Sequence, residues 1–92
     1  MNKAVGTLIT PKGKVKEIVF QGEKITFNEI RKLVKGYVEF VWLKDGKILI
    51  VNEEGKFYGL PYNDIATQVI VENGMNDYIV GNAIILESKY VD

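Results

Sequence analysis

The chain has 92 residues, 47% of them apolar and ten of them aromatic, which is enough for one hydrophobic core and one domain over residues 1–92. It contains no cysteine and no histidine, which excludes disulfide scaffolds, thiolate metal sites, thiol nucleophiles and every Ser-His or Cys-His arrangement. No window holds the ~18 apolar residues of a membrane span, and the apolar run in MNKAVGTLITPKGK is too short for a secretory signal, so a cytoplasmic protein without a membrane partner is expected.

The zero net charge hides an asymmetry. Residues 1–36 hold eight cations against three carboxylates, net +5, and residues 37–92 hold four against nine, net −5. The asymmetry reads either as two solvated faces of one domain or as a basic patch that attracts an anionic ligand. Overall neutrality argues against non-specific duplex binding, which usually comes with a basic domain, and no sequence-specific nucleic-acid partner is expected.

In chain order, residues 4–21 form a first hairpin around Thr10-Pro11-Lys12-Gly13, where proline presets one turn position and glycine tolerates another. Alternation puts Ile18 and Phe20 on one face of the returning strand and Val15, Glu17 and Val19 on the other; Gly6 marks a close approach or a bulge. Thr26-Phe27-Asn28-Glu29 is a capping box, Ile25 and Ile30 form a hydrophobic staple, and Phe27, Ile30, Leu33 and Val34 share one helical face. Gly36 is expected to end this helix in the left-handed conformation.

Residues 37–51 form two long strands around Asp45-Gly46, a pair suited to a two-residue type I′ turn. That loop would pair Trp42 with Leu49 and Phe40 with Val51, placing all four on one face and Val41, Leu43, Ile48 and Ile50 on the other. Both faces would be apolar, so both must be covered. Asn52-Glu53-Glu54-Gly55 is expected as a type I turn with a glycine bulge and Lys56-Phe57-Tyr58 as a further strand, which Gly59-Leu60-Pro61 breaks. Asn63 or Asp64 caps a short helix over 65–71 with Ile65 and Val69 inward, joined by Ala66 or Ile70, and Asn73-Gly74 stops it. A last strand follows at Ala83-Ile84-Ile85-Leu86. The order β-β-α-β-β-β-α-β describes an α+β fold, a small, mostly antiparallel sheet with two short helices. Two short helices are a thin cover for such a hairpin, so a homo-oligomer, a dimer first, is expected.

No catalytic, metal or cofactor motif is present. Glu53 and Glu54 are neighbours in a turn and do not converge on one bond as paired catalytic carboxylates must. The NGMND run at 73–77 has too few acids at the wrong spacing for a calcium loop, and there is neither a G-x-G-x-x-G nor a P-loop. A non-enzymatic binding protein without cofactor is therefore expected. The candidate ligand-binding residues surround the Gly-Leu-Pro corner: Tyr58 and Tyr62 as stacking faces, Asn52 and Asn63 as hydrogen-bonding edges, Lys56 and Arg31 for phosphate. Each also has a purely structural reading, since turns and helix caps favour asparagine and tyrosines often edge a core.

GYVEFVWL at 36–43, ILIVNEEGKFYGLPYN at 48–63 and DYIVGNAIIL at 77–86 resemble the uncharacterised family called domain of unknown function 3846, in which G-Y-[IV]-E, V-N-E-[ED]-G-K, G-L-P-x-N and I-V-G-[ND] recur in that order. The resemblance implies a small protein of bacteriophages, prophages or plasmids and carries no activity. It points to Tyr37, Glu39, Asn52, Glu53, Gly55, Gly59, Leu60, Pro61, Asn63 and Gly81. By analogy, such a protein is expected in counter-defence, sequestering a small anionic nucleotide such as a cyclic nucleotide or an NAD-derived signal in the host cytoplasm. The alternative is an inhibitor of a host protein that works through its acidic turns, Asp45, Glu53 and Glu54, with Phe57 and Tyr58.

Overall fold

The computed structural model describes residues 2–91. Strands β1 (Val5–Ile9), β2 (Val15–Val19), β3 (Val38–Trp42), β4 (Lys47–Asn52) and β5 (Ala83–Glu87) form one antiparallel sheet in the order β2-β1-β5-β4-β3. Helix α1 (Phe27–Val34) follows β2, and helix α2 (Asp64–Glu72) lies between β4 and β5. This is the expected α+β fold.

Its core follows from the alternation of β4. Ile48 and Ile50 join Ile84, Leu86 and the α1 residues Ile30 and Val34 in one apolar cluster. Leu49 and Val51 point the other way, into a cluster with Ala83 and the α2 residues Ala66 and Ile70. Burying each large aliphatic side chain is worth about 1.5–3 kcal/mol relative to exposure. The two-sided hairpin is thus covered within one chain, and no second copy is needed over β4.

The central hairpin is shifted by one residue from expectation. Trp42 pairs with Ile48, Val41 with Leu49 and Phe40 with Ile50, because the Leu43 amide donates to Lys47 O across a three-residue loop. Asp45 and Gly46 both take positive φ, as a two-residue loop would need, but the Lys44 amide donates to Asn73 Oδ1 at the end of α2 instead of joining the ladder. A one-residue slip turns every side chain over. Val38 and Phe40 therefore pack with Ile48 and Ile50, and Val41 and Leu43 with Leu49 and Val51.

The first hairpin, the capping box and the Gly6 contact are as expected. Thr26 accepts from the Glu29 amide while Glu29 reaches back to the Thr26 amide. A Cβ on Gly6 would lie 3.3 Å from Ile84, Ile85 and Leu86 atoms of β5. Phe27 differs: it is 66% exposed beside a groove shared with Phe40, because Ile25 and Ile30 already fill the space below the helix start. The left-handed residue after α1 is Lys35, φ 65°, not Gly36. Gly36 is required for room, since a Cβ there would come 2.7 Å from Asn52 Nδ2.

Lys56–Tyr58 do not form a strand. Amides of Tyr58, Gly59 and Leu60 fold back onto Glu54, Lys56 and Gly55 carbonyls, so residues 53–59 coil into successive turns. No bulge forms at Gly55, whose φ is not positive; its missing side chain makes room for Val80. In α2 the inward residues are Ala66, Thr67 and Ile70, while Ile65 is exposed and Val69 only half-buried, because Asn63 rather than Asp64 caps the helix and sets its rotation.

Candidate functional site

The two asparagines expected to meet a ligand are instead built into the protein. Asn63 is 0% exposed; its Nδ2 donates to Ile9 O (2.9 Å) and Gly81 O (2.8 Å), and its Oδ1 accepts from the Ala66 amide (3.0 Å). One side chain thereby joins the end of β1, the segment before β5 and the start of α2. Asn52, also buried, donates from Nδ2 to Val34 O and Lys35 O at the end of α1 and accepts from the Glu54 amide. Both amides are spent on backbone groups of the fold. The family-like V-N-E-E-G and G-L-P-x-N motifs are, at these positions, instructions for a fold.

Two clefts flank this corner, with residues 79–82 as their common wall. The first, of about 360 Å³, is lined by Glu39, Glu53, Lys56, Asp77 and Tyr78 over Val51 and Ile70. Lys56 Nζ donates to Asp77 Oδ1 (2.5 Å) and lies 4.1 Å from the centre of the Tyr78 ring. Tyr78 in turn stacks on Tyr62 at 6.1 Å. The hydrogen bond from Lys56, aided by the Tyr78 amide, holds the Asp77 carboxyl below the usual aspartate range. The same bond raises Lys56 above the usual lysine value. This cleft therefore carries three carboxylates against one cation already engaged, which suits no anion. Among the described residues no three potential metal ligands are gathered for an ion.

The second cleft, of about 520 Å³, is bordered by Lys12, Lys14 and Lys35, with Val34, Leu60 and Pro61 as an apolar floor and no carboxylate in its lining. The β1–β2 turn presents Lys12 and Lys14, held by Thr10, which accepts the Gly13 amide on its carbonyl and the Lys14 amide on its hydroxyl. Lys35 is aimed by its left-handed backbone at the end of α1. The negative end of that helix would oppose an anion, but Asn52 caps Val34 O and Lys35 O, and Asn82, in the cleft wall, caps Leu33 O. Among the described residues none of the three lysines forms an ion pair.

The six candidate residues thus separate. Lys56 and Tyr62 meet through Tyr78. Tyr58 packs edge-on against Phe57 at 5.3 Å, and Arg31 lies 4.8 Å over the Tyr37 ring on the helix that covers the opposite face of the sheet. Sequence reasoning missed Lys12, Lys14, Lys35, Asp77 and Tyr78 as individual residues. The +5 charge of residues 1–36 was the available signal for the lysines.

The fold is that of a small α+β domain, one antiparallel sheet with two helices. More particularly, the chain belongs to the family described as Domain of unknown function (DUF3846), whose model matches residues 3–90. Comparison with curated proteins and with solved structures gives no match.

Proposed function

We propose that this protein captures a small anionic ligand of the nucleotide class in its basic cleft, without turning it over. The observation that carries this reading is the convergence of Lys12, Lys14 and Lys35, free of carboxylates, around an apolar floor. Lysine ammonium groups suit phosphate as point charges, and the Leu60 and Pro61 surface suits the flat face of a base. In a protein of a mobile element, the setting implied by the motifs, such capture would serve counter-defence. The test is a thermal-shift screen against cyclic di- and trinucleotides, NAD, ADP-ribose cyclisation products and mononucleotides. A ligand at 100 times its Kd stabilises the fold by ~2.7 kcal/mol, which is above ~10 °C for a domain of this size. Lys12→Glu with Lys35→Glu should abolish the shift while leaving the circular dichroism unchanged. A flat screen, or a shift indifferent to these charges, removes the reading, and conversion of the ligand on incubation makes the protein an enzyme.

A second reading, inhibition of a host protein, is favoured by one observation. Phe57 is 83% and Tyr58 64% exposed in a turn that also carries Glu53 and Glu54. Asp45 lies at the other end of the six-residue β4, roughly 20 Å away, so it does not share that patch. Reversing Glu53 and Glu54 should abolish inhibition under this reading and leave nucleotide capture intact.

A further inference from the structure

The two free edges of the sheet are built differently. In β3, the bonds Leu43 N to Lys47 O and Glu53 N to Tyr37 O fix which residues face β4: Tyr37, Glu39, Val41 and Leu43. Val38, Phe40 and Trp42 therefore direct three amides and three carbonyls outward, away from the sheet. Their side chains all lie on the α1 face, where Phe40 meets the Trp42 ring edge-on at 6.4 Å and shares a groove with the exposed Phe27. Trp42 itself is 62% exposed. No proline, bulge or lysine interrupts this edge, the usual devices that stop a strand from pairing with another chain.

We infer that β3 is the dimerisation edge of this protein, pairing antiparallel with β3 of a second copy about a two-fold axis through Phe40. In that register Phe40 faces its own counterpart and Val38 faces Trp42 of the other copy, so all three outward residues on each strand are paired, with six backbone hydrogen bonds. A two-fold perpendicular to the sheet keeps both α1 helices on one face, and the Phe27, Phe40 and Trp42 side chains of the two copies come together there.

Charge selects the occupant and the register. Sliding the pair by two residues toward Glu39 would set Glu39 against Glu39, whereas the register centred on Phe40 sets Glu39 against Val41. The opposite edge cannot be used in the same way. The bonds Phe20 N to Ala4 O and Thr10 N to Lys14 O turn Val15, Glu17 and Val19 outward on β2, and the fullest self-pairing there would place Glu17 directly against Glu17. One edge thus accepts a copy of itself and the other repels it. Burying Phe27, Trp42 and the strand backbone on both copies removes on the order of 1,000 Å² in total, the low end of specific interfaces, so association in the micromolar range is expected.

Trp42 is the chain's sole tryptophan, so its fluorescence reports on this edge directly. On raising the concentration of the unaltered protein from about 0.1 to several hundred micromolar, its emission should shift to the blue in step with doubling of the mass by light scattering. Trp42→Lys, at an exposed position, should remain monomeric over that range with an unchanged circular dichroism spectrum. An unaltered chain that stays monomeric throughout overturns the inference and leaves the edge to a strand of some other protein. A dimer whose tryptophan emission does not move, or one that persists in Trp42→Lys, places the interface elsewhere and overturns it equally.

Discussion

The two clefts share a wall and differ in how their charges are balanced. In the acidic cleft the one cation, Lys56, has a carboxylate in contact and an aromatic ring beneath it. In the basic cleft three lysines face solvent with no carboxylate among their neighbours in the lining. A compensated charge is accounted for by the fold. An uncompensated cluster raises the self-energy of the folded state and gains most from an anion supplied from outside. The difference teaches that aromatic and amide residues near a cation do not make an anion site when carboxylates outnumber that cation.

The harshest way to break the comparison is to remove the side chain that builds the common corner. Asn63→Ala removes the hydrogen bonds to Ile9 O, Gly81 O and the Ala66 amide in a dry interior. At about 1–3 kcal/mol per unsatisfied group, a loss of roughly 3–5 kcal/mol is expected, out of a total of about 5–14. Chemical denaturation should show it as a lower midpoint with an unchanged slope. A loss below about 1 kcal/mol would mean that water reaches the corner and that Asn63 is available to a ligand after all. Asn52→Ala should follow at about 2 kcal/mol, since it strips the end of α1 of its cap at the rim of the acidic cleft, where water can partly replace it.

Much of this was legible beforehand, and the misses have a common cause. The capping box, the proline turn and the strands other than Lys56–Tyr58 depend on neighbours in sequence, and they stand where local rules put them. The register of the central hairpin did not follow, because Asn73 takes the Lys44 amide from 29 residues away. Lys56–Tyr58 have strand-like composition but cannot pair with β4, the strand they follow, since β3 and β5 already flank it. For the site, residue type suggested asparagine at a ligand, while burial assigns both asparagines to the backbone. The basic cleft was visible only as a charge sum over 1–36, because the β1–β2 turn and the end of α1 meet only in the folded chain.

Neutralising charge sharpens the comparison at a smaller scale. In low salt, Lys12→Gln with Lys35→Gln should raise the melting temperature by about 1–2 °C by relieving repulsion. The gain should vanish in about 0.5 M salt, where screening shortens the range of the interaction to a few ångströms. Lys56→Gln should have the opposite sign, because it removes an attraction. If all three substitutions lowered stability alike, the lysines of the basic cleft would have partners of their own, and the case for an external anion would fail.

The smallest effect is also the most local. The folded-state pKa of Asp77 is depressed, so its contribution to stability is present above the ordinary aspartate range and is lost as pH falls through the depressed value. That of Lys56 is raised, so its share is present below the ordinary lysine value and is lost as pH rises through the raised one. The pair therefore holds through neutral pH and weakens at both ends. Both groups are exposed, so salt should blunt each limb. The carboxyl carbon of Asp77, followed by NMR, should titrate below the usual range, and Lys56→Met should bring it most of the way back, with the Tyr78 amide retaining the remainder. Repeating the titration with a saturating nucleotide divides the two clefts cleanly. A ligand held by Lys12, Lys14 and Lys35 leaves the Asp77 midpoint where it was, whereas one that draws Lys56 away raises it and moves the binding site to the acidic side of the wall.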